Sequence, residues 1–246
     1  TQNQMYRIGA EQTRSLMRQF LASAALTLAA LILALLIMVR YSTSGLSDLS
    51  AAARAIASGN MDAKILVRGV GEVRTLSVAF GRMLENLRAS MSQIRKLAFY
   101  DTITELPNRE KIKIDGPAAI KEEKIGTLLF IDLDGFKSIN DTFGHNMGDQ
   151  LLRKVSKALR QYFLEAKDIY KTGKILLARV GGDEFAVIIP GIESRQQAGA
   201  IASGAIDILR NPFIFDGSQV NIGASVGITM FPEDAGTYED LLVNAD

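Results

Sequence analysis

A chain of 246 residues with 48% hydrophobic content has room for one ordinary domain and smaller attachments, and enough apolar matter to bury a core. Its 28 basic and 27 acidic residues leave a net charge of +1, which excludes a nucleic-acid binder built on a broad basic surface and confines any phosphate chemistry to local groups. Cysteine is absent and His145 is the single histidine, so disulfides, thiolate sites and multi-imidazole zinc sites are excluded; a metal would have to sit on oxygen ligands, which select magnesium, calcium or manganese.

The sequence begins at Thr1 and not at a methionine, so its start is read as a fragment or a processed end and not as a signal peptide. If the C-terminal domain uses a nucleotide it lies in the cytoplasm, and residues 1–19 would then be the end of an extracytoplasmic segment. From Phe20 to Val39 twenty consecutive residues carry no charge. As a helix rising about 1.5 Å per residue, they would span roughly 30 Å, the thickness of a bilayer's hydrocarbon core. A transmembrane helix over 20–40 is therefore predicted. The alternative, a buried core helix, fits less well because a soluble domain of this size rarely holds so long an uncharged run. Arg18 and Arg40 bracket the span, so flanking charge does not set its orientation.

Beyond Arg40 two amphipathic helices joined by an extended connector are expected. The first carries Leu46, Leu49, Ala53 and Ile56 at spacings of three and four and stops at Gly59-Asn60. The second places Val73, Leu76, Phe80, Met83 and Leu87 in a register that continues through Ser90 to Ile94 and Leu97, a heptad seam. On one chain such a stripe leaves apolar surface exposed, so a parallel homodimer that buries it is the economical reading. Residues 41–92 resemble a HAMP domain: Gly59-Asn60 closes the first helix, Glu72 opens the second, and the stretch follows directly on a membrane span. Gly45 stands about where that family usually has a proline. A plain coiled-coil stalk is the alternative.

Residues 127–132 (TLLFID) form an apolar run suited to a buried strand, ending on Asp132 with Asp134 just beyond. Gly135-Phe136-Lys137 then opens a helix, gathering free backbone N–H groups and a lysine where a phosphate could bind. A longer helix follows, with Leu151, Leu152, Val155, Ala158, Leu159, Tyr162 and Phe163 on one face. The segment ILLARVGGDEFAVIIP reads as a tight hairpin with Gly181-Gly182 supplying positive φ values in a two-residue turn, from which Asp183 and Glu184 project. After a helix near 195–209, alternation from Val220 to Met230 predicts a half-buried antiparallel strand. The order of elements gives an α+β domain with a mostly antiparallel sheet. If the strand ending at Asp132 lies beside the hairpin, Asp132 and Asp183 converge, and a divalent cation would relieve their repulsion while polarising a bound phosphate. Each acidic residue taken alone reads better as a solvated turn; only the combination points to phosphoryl transfer.

These residues resemble the GGDEF family of diguanylate cyclases over about residues 96–246. Gly181-Gly182-Asp183-Glu184-Phe185 is the signature, Asp101 to Arg109 (DTITELPNR) is similar to the family's opening motif, and Asp132 to Asp149 (DLDGFKSINDTFGHNMGD) to its nucleotide-binding stretch. The resemblance implies a palm-like nucleotidyl-cyclase fold over 93–246 and condensation of two GTP molecules into cyclic di-GMP. It implies Mg2+, with Mn2+ as a substitute, on Asp132, Asp183 and the Leu133 carbonyl. Glu184 would help bind the second metal or activate the attacking 3′-hydroxyl. Phe136 and Lys137 would contact phosphates, Asn140 and Asp149 would read the guanine edge, and His145 would sit near the nucleotide or serve only to connect helices. GTP use implies that this domain is cytoplasmic, on a bacterial inner membrane. Two domains must face each other to make the cyclic product, and the heptad seam would supply the dimer.

Two departures are expected to matter. The R-x-x-D motif of product-inhibited cyclases is replaced by Thr172 and Ile175, so that inhibitory site should be absent. The family's helix with a lysine and an arginine for the triphosphate would follow Asp246, so the domain reads as truncated, and weak GTP binding or inactivity is expected of the chain as given. The alternative function is a non-catalytic, GTP-binding GGDEF domain regulating a fused EAL phosphodiesterase; a membrane-tethered dimeric adaptor without nucleotide is the third reading, disfavoured by the Asp-Glu pair in a glycine turn.

Overall fold

The computed structural model describes residues 2–58, 60–65, 71–215 and 217–246, with side-chain surroundings from residue 16 onward except at 41–43 and 218. The chain forms two units, one ending at Met91 and one running from Ser92 to Asp246.

In the first unit, α1 (Gln2–Ala57) is one continuous helix that carries both the uncharged run and the first linker helix. It is long and apolar enough to cross a membrane, and its side chains from Leu16 to Val39 are exposed. Ser23 and Thr27 turn their hydroxyls back onto the Phe20 and Ala24 carbonyls, so the run's polar side chains are satisfied within the helix. The predicted cap at Gly59 lies outside the described residues; its neighbour Asn60 donates its N–H to the Ala55 carbonyl at 3.0 Å. The second helix, α2 (Gly71–Phe99), opens with Glu72 in its first turn, where a carboxylate complements the helix dipole. Arg88 reaches back to the Met61 and Ala63 carbonyls at 2.7 and 2.9 Å and holds the start of the connector.

The residues this unit buries are not those of the seam. Leu49 and Ala52 on α1 and Ser77 and Leu84 on α2 are buried. Leu76, Met83, Leu87, Ile94 and Leu97 are all exposed, between 41% and 65%. Val73 and Phe80 are half-buried, so the single chain leaves most of its heptad stripe uncovered.

The second unit continues through α3 (Arg109–Glu123), β1 (Gly126–Asp134), α4 (Phe136–Phe143), α5 (His145–Tyr170), β2 (Leu176–Arg179), β3 (Glu184–Pro190), α6 (Arg195–Leu209), β4 (Phe213–Phe215), β5 (Ser218–Val220), β6 (Gly223–Phe231) and α7 (Tyr238–Ala245). The main sheet has the order β2-β3-β1-β6 and every pairing is antiparallel, while β4 and β5 form a separate small ribbon. The α+β architecture is the one the pattern of elements predicts.

β1 is central and buried on both faces, which is why it reads as an unbroken apolar run. Leu129, Ile131 and Leu133 face the larger core with Leu151, Leu152, Val155 and Leu159 of α5 and Ile201 and Ala205 of α6. Leu128 and Phe130 face a smaller core with Ile112 and Ile120 of α3 and Tyr238 and Leu241 of α7. Each fully buried aliphatic side chain contributes on the order of 1.5–3 kcal/mol of transfer free energy, so the strand is fixed from both sides. The alternation from Val220 to Met230 divides: Val220 ends β5, and β6 begins at Gly223. Nor is β6 half-buried along its whole length. Thr229 is buried on the face opposite Met230, and a Cβ at Gly227 would overlap the Ala245 carbonyl, because α7 closes over that face.

Candidate active site

Asp132 stands at the end of β1 opposite Glu184 of β3 and Ser225 of β6. Directly paired residues share a face, as do residues two apart on one strand, so Asp132, Asp134, Glu184 and Ser225 all project to the same side. Ser225 donates its hydroxyl to Asp134 Oδ1 at 2.8 Å. One residue beyond the β1–β3 pairing, Leu133 donates its N–H to the Asp183 carbonyl at 3.2 Å. The N–H and C=O of one strand residue point the same way, so the Leu133 carbonyl is also directed toward the hairpin, while its side chain is buried.

Charge at this edge is unbalanced. Burial pushes the Asp132 carboxyl above its ordinary range, and the charges of Asp183, Asp134 and Asp246 push it further in the same direction. A carboxylate that is partly desolvated and faced by others gains from a nearby cation. Among the described residues no three acidic or imidazole side chains stand close enough to hold an ion by themselves. The oxygen donors at this edge of the kind a hard divalent cation takes are the Asp132 and Asp183 carboxylates and the Leu133 carbonyl.

The signature turn differs from the sequence expectation. Four residues, Val180 to Asp183, separate β2 from β3, and the N–H groups of Val180 and Gly181 both reach the Glu184 carbonyl, at 2.9 and 3.4 Å. Neither Gly181 nor Gly182 has positive φ, so the predicted two-residue, left-handed turn is not formed. Gly181 is required for clearance instead. A Cβ there would overlap the Glu184 carboxylate, whereas one at Gly182 would meet nothing within 4 Å. Glu184 thus folds back over Gly181, with Arg109 Nη2 3.9 Å from its Oε2. Arg109 also donates Nε–H to the Val180 carbonyl at 2.9 Å, gripping the turn from the start of α3.

The residues expected to hold nucleotide lie on α4 and α5. Gly135 takes φ +75° ahead of α4, whose first turn has no side-chain cap, leaving its N–H groups available. The Phe136 ring is buried in the larger core, so only its backbone can meet a phosphate, while Lys137 is exposed. The Asn140 amide lies against Gly148, where a Cβ would overlap it, which sets it beside the turn that bears Asp149. His145, the first residue of α5 after Gly144 at φ +82°, is exposed. Thr172 is buried and Ile175 packs against the larger core, so neither offers a charge to a ligand.

Sequence reasoning passed over Asp101, Arg109 and Arg179 as individual residues. The Asp101 carboxylate accepts from the N–H groups of Ile103 and Thr104 and from the Thr104 hydroxyl, at 3.2, 2.7 and 2.6 Å, and from Arg179 Nη1. Asn108 ties two helices: its Oδ1 accepts from Lys111 N–H at the start of α3, and its Nδ2 donates to the Ala98 carbonyl at the end of α2. The DTITELPNR stretch is therefore a joint between α2, α3 and β2. A lone arginine closing an otherwise apolar strand, two residues before the glycine pair, was the available signal for Arg179.

The family described as the GGDEF domain of diguanylate cyclases matches residues 98–246, more than half of the chain. The chain belongs to the GGDEF family. The HAMP domain family matches residues 37–89. Among curated relatives, the bifunctional diguanylate cyclase/cyclic di-GMP phosphodiesterase MucR of Pseudomonas aeruginosa is 35% identical over 167 residues, 65% of this chain and 23% of the relative. The diguanylate cyclase TpbB of the same species is 32% identical over 191 residues, 72% of this chain and 42% of the relative. The GGDEF chain thus spans well under two thirds of the length of either protein. The solved GGDEF domain of TpbB superposes with a TM-score of 0.53 at 35% identity, covering 60% of this chain and 84% of that one.

Proposed function

We propose that this GGDEF protein is a membrane-anchored diguanylate cyclase, condensing two GTP molecules into cyclic di-GMP and two pyrophosphates in the cytoplasm of a bacterium. The observation that carries the reading is the register Asp132 opposite Glu184 with Asp183 against Leu133, which gathers the acidic residues at one strand end beside the uncapped start of α4. The relatives' names support it, TpbB being a diguanylate cyclase and MucR a bifunctional cyclase and phosphodiesterase.

In this reading Asp132, Asp183 and the Leu133 carbonyl hold Mg2+, or Mn2+ in its place, which supplies charge neutralisation at the phosphates when bound. Lys137 and the first N–H groups of α4, that of Phe136 included, orient the phosphates. Asn140 and Asp149 select guanine through its polar edge, and His145 lies beside the nucleotide. Glu184 takes the proton of the 3′-hydroxyl that attacks the α-phosphate, and pyrophosphate leaves. We assign residues 1–19 to the end of an extracytoplasmic segment, 20–40 to the membrane span, 41–92 to the HAMP relay and 93–246 to the cyclase domain. The exposed stripe on α2 favours a homodimer through these helices, which would bring two half-sites together and make the encounter the regulated step.

The test is to incubate membranes carrying the protein with GTP and Mg2+ and to assay cyclic di-GMP, with Glu184→Gln as control. Product from the wild type and a loss of about 10²–10⁴-fold in the control are expected. No product from either, with GTP still bound, would replace the cyclase reading with that of a GTP-binding domain that regulates a fused phosphodiesterase.

A further inference from the structure

Arg179 makes five contacts with three partners from the last position of β2. Its Nη1 lies 2.9 Å from both carboxylate oxygens of Asp101, its Nε and Nη2 donate to the Gly182 carbonyl at 3.2 and 2.7 Å, and its own N–H donates to the Pro107 carbonyl at 2.9 Å. The Arg179 side chain is 9% exposed and that of Asp101 21%. Gly182 precedes Asp183 directly, so the carbonyl that Arg179 grips belongs to the peptide that carries Asp183. Asp101 lies two residues beyond the end of α2 and is itself locked by Thr104.

We propose that Arg179 is a positioning residue for the phosphoryl-transfer site: a strut that fixes the Gly182–Asp183 peptide relative to the end of α2, so that Asp183 stays against Leu133, one residue along from the Asp132–Glu184 pair. A charge-neutralising role would need only the contact to Asp101. The planar fork of arginine does more, because it engages a carboxylate and a carbonyl at once in fixed relative orientation, which the ammonium of lysine does not do. The glycine pair gives the reason a strut is needed. Gly182 has no side chain to pack and nothing within 4 Å of where its Cβ would be, so the turn has no anchor of its own at that position. The turn is instead gripped by two guanidiniums, Arg109 on the Val180 carbonyl and Arg179 on that of Gly182. Of the two, Arg179 reaches the segment just past α2 directly, through Asp101, whereas Arg109 reaches it through its chain neighbour Asn108. A shift of that helix end thereby has a route of two contacts to the peptide of Asp183.

This inference rests on the cyclase reading, and its test has a binding arm that does not need turnover. The full chain is prepared as wild type, R179K, R179M, D101N and the double variant R179M/D101N. For each, kcat and KM for GTP are measured, together with the Mn2+ concentration that half-saturates binding of a non-hydrolysable GTP analogue. R179K and R179M are expected to lower kcat by about a hundredfold, to raise the half-saturating Mn2+ concentration by about tenfold, and to leave KM for GTP within about threefold. D101N should lose about tenfold in kcat and add nothing further in the R179M background, because it acts through the same strut. Wild-type behaviour of R179K, multiplying effects of D101N and R179M, or an altered KM at unchanged kcat would each overturn the proposal. Should R179M fail to fold, R179K and D101N carry the comparison. A wild type that makes no product defeats the cyclase reading, while the Mn2+ titration still decides this one.

Discussion

The two units of this protein meet their apolar residues in opposite ways. In the GGDEF unit the apolar side chains of β1, β3, α5 and α6 close on each other, and Leu129, Ile131, Val187 and Leu159 are inaccessible to water. In the N-terminal unit the apolar run of α1 and most of the heptad stripe of α2 stay exposed, and full burial is confined to a few residues such as Leu49, Ala52 and Leu84. The difference teaches that one sequence can be written for two kinds of solvent. The GGDEF unit satisfies itself, whereas the N-terminal unit leaves apolar surface that, in the proposed reading, a lipid phase and a second chain would cover.

The comparison can be broken first at the turn, where the self-contained unit has least slack. Gly181→Ala puts a methyl group where the Glu184 carboxylate lies, so Glu184 must leave its place over the turn. Cyclase activity should fall about a hundredfold with the melting temperature nearly unchanged, whereas Gly182→Ala, which meets nothing, should keep most activity. Equal activities of the two variants would show that clearance at 181 does not matter.

A second change sharpens the contrast from the other side. Leu76→Lys with Met83→Lys places charges on the exposed stripe without touching the buried Ser77 and Leu84. Self-association in detergent, followed by sedimentation, should weaken about tenfold or more while helix content by circular dichroism is kept. An unchanged sedimentation profile would remove the stripe as the dimer surface.

The smallest effect concerns acid. Burial pushes the Asp101 carboxyl up, but the Thr104 hydroxyl and N–H and the Arg179 guanidinium outweigh it and hold the group below its usual range. A carboxyl with a depressed folded pKa contributes stability that is fully present above its unfolded value, about 3.9, and is lost as pH falls through the folded value. Asp101→Asn should therefore be less stable than wild type by about 1.5 kcal/mol near neutrality, and the gap should close below about pH 4. Denaturant melts across that range would show it; a gap that widens in acid would contradict the assignment.

Much of this was legible in the sequence. The apolar runs 127–132 and 185–189, bounded by acidic residues and glycines, announce two buried strands, and the acidic residues at their ends mark the site edge. Other features could not be read. The partners Asp101 and Arg179 are 78 positions apart, and no local period connects a charge on one element to its counter-ion on another. Glycine at 181 signals either a left-handed turn or a clearance, and only the Glu184 rotamer decides between them. The span and the first linker helix read as separate pieces because their composition changes at Arg40, yet the backbone bonds of α1 continue across that change.

The central claim is that Asp132 and Asp183 share one divalent ion. Equilibrium Mn2+ binding to the full chain, in the presence of a non-hydrolysable GTP analogue, tests it most directly. The account predicts that Asp132→Asn and Asp183→Asn each abolish the same high-affinity binding event and that the double variant is no worse than either. If one of the single variants bound Mn2+ as the wild type does, the two carboxylates would not serve a common ion, and the chemistry derived from their pairing would fall.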